Sequence, residues 1–443
     1  MLVFQRSSRF LLPIVGLLAG LASVAYTDMV MAQAKAPSVV TGSVKPLSAV
    51  SQSQPKFIPI AFADLPGWLK DDHAAAMNAF LQSCPIIIAA NKAGNKGGAT
   101  PIPPALLMVC SEAVRLAAQG VTEPVARAFF EGYFTPHRVE HAGSPGLLTG
   151  YYEPVLDGSR TPTAKFPTPV HRRPPDLVNL VDESMRGAKS AALTHGRKTD
   201  SGVVPFASRA EIDQGALKGR GLELLYLASP VDSFFMQVQG SGRVKLRDGT
   251  MVRVTYDGKN GHPYTSIGRH LIDTGKLAAD KMSLEALGNW LKADPARGRQ
   301  VMELNKSYVF FRELKGEEAK GALGVLHIPL SPGRSLAVDA GVHAIGMPVY
   351  VSAPALTHTT WTGGFNRLMV AQDVGSAIKG AERGDIYFGT GDVAGKLAGN
   401  TKHPGNLFVL LPRGEPAMAK APDAGNKAAA DVTTGSLSQR TEP

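Results

Sequence analysis

FNRLMVAQDVGSAIKGAERGDIYFG, the stretch from Phe365 to Gly389, decides how the rest of the chain is interpreted. It contains two short apolar runs bounded by glycine and charged residues, a pattern typical of buried strands. The first run ends at Gln372 and Asp373, and the second follows Asp385. The residues between them are small and glycine-rich, so we expect one or two turns that fold the chain back. Both carboxylates can then face one cleft, although Asp is also common in turns for structural reasons alone.

Length and composition indicate a globular protein of two or three domains. The chain has 443 residues, and its 44% apolar content is enough to bury a sizeable core. The formal net charge of +10 suits a polyanionic partner such as nucleic acid, a membrane surface or a cell-wall polymer. No run of Lys and Arg is interleaved with aromatic residues, so we expect no nucleic-acid partner.

The N-terminus has the pattern of an export signal. Arg6 and Arg9 precede the apolar run Phe10 to Ala25, and Ala32 to Ala34 form a small-x-small cleavage site. We therefore interpret residues 1–34 as a cleaved signal peptide and residues 35–56 as a flexible linker. A retained membrane anchor is the alternative, but the run is short and is broken by proline and glycine. No cysteine follows closely, so lipid attachment at a new N-terminal cysteine is not expected.

The two cysteines, Cys84 and Cys110, form one possible pair in an exported chain. In an oxidising compartment a disulfide between them is plausible and would close the first helical region. Two buried free thiols are the alternative.

Periodicity predicts helices near the N-terminus and mainly strands after it. Helical spacing occurs over Leu65 to Ser83, Leu106 to Gln119 and Thr122 to Tyr133. Later helices are predicted after a capping box at Ser208 and over Leu284 to Leu291, with a further turn around Val301 and Leu304. Strands are predicted over residues 147–159, 222–228, 233–238, 243–246, 252–256, 308–311, 335–341, 348–351 and 407–411. Residues 415–443 have no apolar period and are predicted to be disordered.

Three motifs suggest chemistry that their surroundings do not support. His137 to His141 reads H-x-x-E-H, but the prolines and glycine around it leave no room for the helix that a zinc protease needs. Gly389 to Gly391 lacks the following strand and acid of a dinucleotide site. Gly240 to Gly242 lacks nucleophile-elbow spacing, so Ser241 is interpreted as a turn residue. We expect no metal and no cofactor.

The remaining candidates are acidic and aromatic. Asp339, Asp373 and Asp385 stand at edges of apolar runs, and Tyr151 to Glu153 stand in a strand far upstream. A carbohydrate cleft needs acids for proton transfer at the glycosidic oxygen and flat rings for the apolar faces of sugars. Scattered structural acids and core tyrosines remain the alternative at this point.

Six motifs, found in one order along the chain, resemble the membrane-bound lytic murein transglycosylase A family. They are Thr149-Gly-Tyr-Tyr-Glu-Pro154, Val238-Gln-Gly-Ser-Gly242, Tyr256-Asp-Gly-Lys-Asn-Gly261 with Tyr264 and Ser266 to Gly268, Asn305-Lys-Ser-Tyr-Val-Phe-Phe311, Val338-Asp339 and the opening stretch. The resemblance extends from about Leu65 to Pro412, most of the mature chain.

The resemblance implies a mainly β protein with flanking helices, of the α+β class, in two domains around a long groove. A double-psi β-barrel would combine residues 57–154 with residues 316–414, and a smaller β-domain, residues 155–315, would be inserted between them. The glycan strands of peptidoglycan would occupy the groove. Two departures from the family pattern are one extra residue between Asp373 and Asp385 and the absence of the lipid-bearing cysteine.

By resemblance, Asp385 matches the single catalytic acid, and Asp373 and Asp339 match two further site aspartates. The residues expected to contact the sugar are Thr149, Tyr151, Tyr152, Gln239 and Ser241. Protonated Asp385 would donate to the oxygen that links N-acetylmuramic acid to N-acetylglucosamine, and would then deprotonate the muramic C6 hydroxyl, which closes a 1,6-anhydro ring. Such a donor needs a raised pKa, from burial or from a neighbouring carboxylate such as Asp373, which could instead only orient Asp385.

Two other functions remain open, a hydrolytic muramidase and a non-catalytic peptidoglycan-binding module. The expected partners are peptidoglycan glycan strands and other murein enzymes, and the expected state is a monomer. Together with the predicted signal peptide, the resemblance implies a location in the periplasm of a Gram-negative bacterium, and peripheral association with the outer membrane or cell wall is expected.

Overall fold

The computed structural model describes residues 55–92, 103–143, 145–181, 193–359 and 364–414. The predicted signal peptide, nearly all of the predicted linker and the predicted tail at 415–443 lie outside these residues. The helices in the described part are α1 (His73–Lys92), α2 (Pro104–Ala117), α3 (Glu123–Tyr133), α4 (Arg209–Glu211), α5 (Pro230–Gln239), α6 (Ile267–Asp273), α7 (Leu284–Ala293), α8 (Pro295–Glu303) and α9 (Asp392–Gly399).

Eighteen described strands form three sheets. In chain order they are β1 (Lys56–Pro59), β2 (Phe134–Glu140), β3 (Leu147–Glu153), β4 (Val155–Ser159), β5 (Thr168–His171), β6 (Leu177–Asn179), β7 (His195–Thr199), β8 (Gly202–Val204), β9 (Glu223–Leu227), β10 (Ser241–Lys245), β11 (Met251–Lys259), β12 (Val309–Leu314), β13 (Ser335–Val338), β14 (Pro348–Ala353), β15 (Phe365–Val374), β16 (Arg383–Thr390), β17 (Lys402–Pro404) and β18 (Asn406–Pro412).

The largest sheet joins strands from both ends of the chain. Its order is β1-β2-β18-β14-β15-β13-β16-β3-β17, so N-terminal strands lie at one edge and beside the C-terminal β16. With α1 to α3 and α9 it forms what we call the barrel lobe. One apolar cluster lies where α1 to α3 cover the sheet, and another lies among β13 to β16 and α9. The predicted α+β class, mainly β with flanking helices, is confirmed, and a smaller sheet is formed by the chain segment between the strands of the large one.

The insert lobe comprises β4 to β12 and α4 to α8. Its six-stranded sheet has the order β12-β11-β10-β4-β9-β5, and β6 to β8 form a separate three-stranded sheet. A buried ion pair fastens this lobe to the barrel lobe, because Arg253 on β11 contacts Glu153 on β3 with an Nε to Oε1 distance of 2.7 Å. Thr390 on β16 donates a further hydrogen bond of 2.8 Å to the same carboxylate. The Glu153 carboxylate therefore contacts residues of both lobes.

Helix α1 is a core helix whose length and composition alone would also suit a membrane span. Its residues Met77, Phe80, Cys84 and Ile87 are fully buried at helical spacing. A disulfide joins Cys84 to Cys110 on α2, so the plausible pairing is present and the two helices are covalently linked.

The prediction of a strand over residues 233–238 is wrong, because these residues lie in helix α5. Pro230 occupies the first helical turn, where its fixed φ is favourable, and the Ser229 hydroxyl accepts a 3.1 Å hydrogen bond from the Val231 amide. A short segment with four apolar residues in six does not by itself distinguish a strand from a buried helix. The predicted capping box at Ser208 is confirmed, with Glu211 accepting from the Ser208 amide at 2.7 Å.

Candidate active site

Strand order brings the two central aspartates of the quoted stretch together. Strand β13 lies between β15 and β16, parallel to the first and antiparallel to the second. Ala337 on β13 is the register partner of Asp373 on one side and of Asp385 on the other. Asp385 in turn pairs with Thr149 on β3. Register partners in a sheet project from the same face, so these side chains share one face of the barrel sheet.

Asp385 lies in a partly buried polar setting that favours its neutral form. Burial raises the pKa of its carboxyl from 3.8 to about 6, against the lowering effects of the Arg383 guanidinium and the Thr149 hydrogen bond. The nearby Asp373 carboxylate adds a smaller raising effect. The Thr149 hydroxyl donates to Asp385 Oδ1, and Arg383 Nη2 donates to Thr149 Oγ1 at 2.7 Å. This carboxyl can therefore carry a proton near neutral pH.

Asp373 is held by a different set of contacts. The Tyr151 hydroxyl donates to its Oδ2 at 3.0 Å, and the Val374 amide donates to its Oδ1 at 2.9 Å. Burial and the Asp373 carboxylate raise the pKa of Tyr151 well above its ordinary value, so its hydroxyl remains a donor. The Tyr151 ring packs against Tyr387, with ring centroids 5.2 Å apart. Asp373 is thus oriented by a fixed tyrosine.

Both aspartates open into a cavity of about 440 Å³ between the two lobes. Six of the predicted site residues line it, namely Thr149, Tyr151, Gln239, Ser241, Asp373 and Asp385. Gln239 and Ser241 belong to the insert side, at the end of α5 and the start of β10. Gly240 between them caps the helix at a φ of 81°, a conformation that favours glycine.

Two predicted site residues lie elsewhere among the described residues. Asp339 accepts hydrogen bonds from the amides of Gly341 at 3.0 Å and Gly380 at 2.9 Å, so it anchors the turn between β15 and β16 rather than lining the cavity. Tyr152 follows Tyr151 on β3 and therefore projects to the opposite face. Its ring packs on α9, where a Cβ added at Gly395 would come within 2.8 Å of it.

Sequence reasoning assigned no role to several charged residues of the cavity wall. Arg383 is one of them, although its place two residues before Asp385 on one strand puts both on the same face. Arg173, Lys259 and Arg312 also line the cavity, from the insert lobe. Lys259 lies within the motif Tyr256 to Gly261, which was a usable signal.

The H-x-x-E-H segment begins in strand β2, so its two histidines do not share a helix face. His137 contacts the Thr135 carbonyl at 2.8 Å, and His141 contacts Glu382 at 3.1 Å. In the part of the chain that the structure describes, no group of three or more His, Cys, Asp or Glu residues is placed to hold a metal ion.

Comparison with known proteins gives consistent similarities. Residues 147–312 match the model of the MltA specific insert domain, and residues 334–411 match that of the 3D domain. The chain is 36% identical over 277 residues to membrane-bound lytic murein transglycosylase A of Vibrio cholerae, covering 62% of this chain and 67% of the relative. It is 37% identical over 286 residues to the protein of that name from Escherichia coli K12, covering 63% and 67%.

Solved structures show the same similarity at the level of the fold. The crystal structure of a membrane-bound lytic murein transglycosylase from Agrobacterium tumefaciens superposes with a TM-score of 0.71 at 36% identity, covering 81% of this chain and 98% of that one. MltA from Neisseria gonorrhoeae in a monoclinic form gives a TM-score of 0.65 at 34% identity, covering 83% and 95%. E. coli MltA with bound chitohexaose gives 0.56 at 30% identity, covering 82% and 93%.

Proposed function

This chain belongs to the membrane-bound lytic murein transglycosylase A family, and we propose that it is a lytic transglycosylase that cleaves peptidoglycan glycan strands without water. The single observation that carries the chemistry is the Asp385 carboxyl, which burial keeps protonatable near neutral pH in a cavity between two lobes. The relatives come from Gram-negative bacteria, which supports a periplasmic or outer-membrane location. We also propose that residues 155–315 form the inserted domain.

In the first step, neutral Asp385 donates its proton to the glycosidic oxygen between N-acetylmuramic acid and N-acetylglucosamine. The raised pKa supports this step, because an acid with a pKa near the working pH is an efficient donor. Thr149 donates to one carboxyl oxygen, which leaves the other as the natural site of the transferred proton. Arg383 fixes Thr149 in turn, so the acid is held in one orientation.

In the second step, ionised Asp385 takes a proton from the C6 hydroxyl of the muramic residue, and that oxygen attacks the anomeric carbon. The bond from C1 to the leaving oxygen breaks in the first step, as that oxygen takes the proton, and the bond from C1 to O6 then forms on the same face of the sugar, so no water is consumed. One carboxyl can act twice because it first loses a proton and thereby becomes the base. Thr149 and Arg383 stabilise the intermediate carboxylate, since both lower the pKa of Asp385.

Asp373 is proposed as an electrostatic partner for the positive charge that develops at the anomeric carbon. Its neighbouring register position places it on the same sheet face as Asp385, and Tyr151 holds its orientation. Its effect on the pKa of Asp385 is smaller than that of burial. We therefore propose that Asp373 acts mainly through its negative charge and its fixed orientation, and less by sharing a proton with Asp385.

A hydrolytic muramidase is the second candidate, because Asp373 provides the second carboxylate that hydrolases generally use. The test is mass spectrometry of the products released from murein sacculi. Wild type should yield 1,6-anhydro ends, lighter by one water than hydrolytic ends. Hydrolytic ends that incorporate oxygen from water enriched in a heavy oxygen isotope would replace the transglycosylase proposal with the hydrolase.

The matched variant is Asp385→Asn, which keeps the side-chain shape and removes the titratable proton. We expect its turnover to fall by several orders of magnitude while sacculus binding persists. Asp273→Asn is the control, because Asp273 forms an exposed ion pair with Arg269 and does not line the cavity. Undiminished lysis by Asp385→Asn would remove Asp385 from its role, and binding without turnover by wild type would support a non-catalytic module.

A further inference from the structure

We propose that the insert-lobe wall of the cavity is a subsite for a carboxylate of the glycan substrate, with Arg173 as its central cation. This inference rests on the proposed function and specifies the chemistry of the substrate that the site accepts. Peptidoglycan offers such a carboxylate from two sources, the lactyl group of muramic acid in peptide-free strands and the stem peptide in peptide-bearing strands. Neutral N-acetylglucosamine polymers offer none.

The two walls of the cavity differ in charge. The insert lobe contributes Arg173, Lys259 and Arg312 together with one acid, Asp257. The barrel lobe contributes both aspartates of the proposed mechanism and a single cation, Arg383. With Asp385 protonated, as the first step requires, the charges of Asp373 and Arg383 offset each other, so a substrate carboxylate is attracted mainly to the basic insert wall.

Arg173 is the cation best placed to bind an anion. Its Nη1 donates to the Asp257 carbonyl at 2.9 Å, and its Nη2 donates to the Leu177 carbonyl at 3.0 Å and to Asn179 Oδ1 at 2.7 Å. Among the described residues these acceptors are uncharged, and they use three of the five N–H donors of a guanidinium. Arg312 differs, because Glu318 accepts two hydrogen bonds from it at 2.7 and 3.0 Å.

An irregularity in strand β11 leaves room for the Arg173 guanidinium beside the cavity. The pairing of β11 with β12 shifts register between Tyr256 and Gly258, which marks a β-bulge beside the cavity. Gly258 has a φ of 131°, and a Cβ there would lie 2.8 Å from Arg173 Nη1. The next residue, Lys259, donates from Nζ to Ser376 Oγ at 3.2 Å, which places a second cation beside the turn that connects the aspartate strands. Arg173 and Lys259 therefore both lie at this bulge and both line the cavity.

Sugar geometry agrees with this arrangement. In the chair that muramic acid adopts before reaction, the lactyl ether on C3 and the hydroxymethyl group on C5 project from opposite edges of the ring. The proposed mechanism requires the C6 hydroxyl to reach Asp385 on the barrel wall. The C3 edge, which carries the lactyl group and any stem peptide, then faces the insert wall and Arg173.

The test compares Arg173→Gln and Arg173→Lys on three substrates: peptide-free glycan strands, the same strands with every carboxyl amidated, and peptide-bearing strands. Loss of one charge-assisted hydrogen bond predicts a rise in KM of about tenfold for Arg173→Gln on carboxylate-bearing strands, with kcat little changed. Amidated strands should show no such rise. Arg173→Lys should retain much of the discrimination, because it keeps the charge while losing the same structural hydrogen bonds. Arg269→Gln, an exposed arginine of the insert lobe, is the control.

Each outcome decides the proposal. A KM effect on peptide-free strands identifies the lactyl carboxylate, and one confined to peptide-bearing strands identifies the stem peptide. Equal effects on charged and amidated strands, or none on either, would overturn the subsite. Dissociation constants of the same strands for the Asp385→Asn protein, with and without Arg173→Gln, give a readout that does not need turnover. If wild type cleaves nothing, the proposed function fails while this binding comparison still decides the subsite.

Discussion

Replacing Asp385 by Asn should stabilise the protein, and the gain should depend on pH. Burial raises the pKa of this carboxyl from 3.8 to about 6, so the folded state disfavours its ionised form. Well below pH 3.8 the carboxyl is neutral in both folded and unfolded chains, and the substitution changes little. As the pH rises through 3.8 toward about 6, ionisation favours the unfolded state, and the penalty reaches its full size above about 6.

The magnitude follows from the pKa change. A rise from 3.8 to about 6 corresponds to about 3 kcal/mol of folding free energy at pH 8, which shrinks to about 0.5 kcal/mol at about pH 4. For a folded region of this size, about 3 kcal/mol at the transition is about 4 °C in melting temperature. Asparagine has no titratable proton, so the variant lacks the penalty at every pH.

The assay is thermal unfolding of wild type and Asp385→Asn at several pH values, followed by circular dichroism. Asp273→Asn is the matched control, because its exposed ion pair contributes little at any pH. The reasoning is refuted if the melting-temperature gain of Asp385→Asn is the same at about pH 4 and about pH 8. Loss of stability at about pH 8 would be a stronger contradiction, since it would mean that the carboxylate is favoured in the fold.

Three further predictions concern the same site and its support. The kcat/KM of wild type on murein should fall about tenfold per pH unit above about 6, because the proton donor is lost; a flat profile up to about pH 8 would contradict this. Thr149→Val should move that fall to higher pH, since the Thr149 hydrogen bond lowers the pKa of Asp385, whereas Thr149→Ser should leave it in place. Glu153→Gln should cost about 3–5 kcal/mol in denaturant unfolding, because it leaves Arg253 buried without its counter-charge; a loss no larger than that of an exposed pair would contradict this.

Local sequence signals were sufficient for part of the secondary structure and for part of the site. The apolar runs of β15 and β16 are short and bounded by charge, so their strand character can be predicted without any partner. The capping box at Ser208 is equally local. The apolar residues of α5 are compatible with either a strand or a helix. The residues that indicate a helix are Ser229 and Pro230, which stand at its start.

The spacing of the site residues along the sequence does not show which way each side chain points. Asp339 and Asp373 both end apolar runs, yet only Asp373 lines the cavity, while backbone amides take up the Asp339 carboxylate. Tyr151 and Tyr152 are adjacent and chemically alike, but strand alternation sends one to the cavity and the other to α9. Family resemblance named both members of each pair, and geometry separates them.

The sequence by itself determined that the segments around Asp373 and Asp385 are strands with these carboxylates near their ends, because hydrophobic period and turn residues act over a few positions. Only the tertiary structure decided that β13 lies between β15 and β16, so that Asp373 and Asp385 flank the same residue, Ala337. The physical reason is that strand order depends on hydrogen bonding and packing between distant segments. The tertiary structure likewise decided that Arg173 lines the cavity, because its segment belongs to the insert lobe, which forms the other wall.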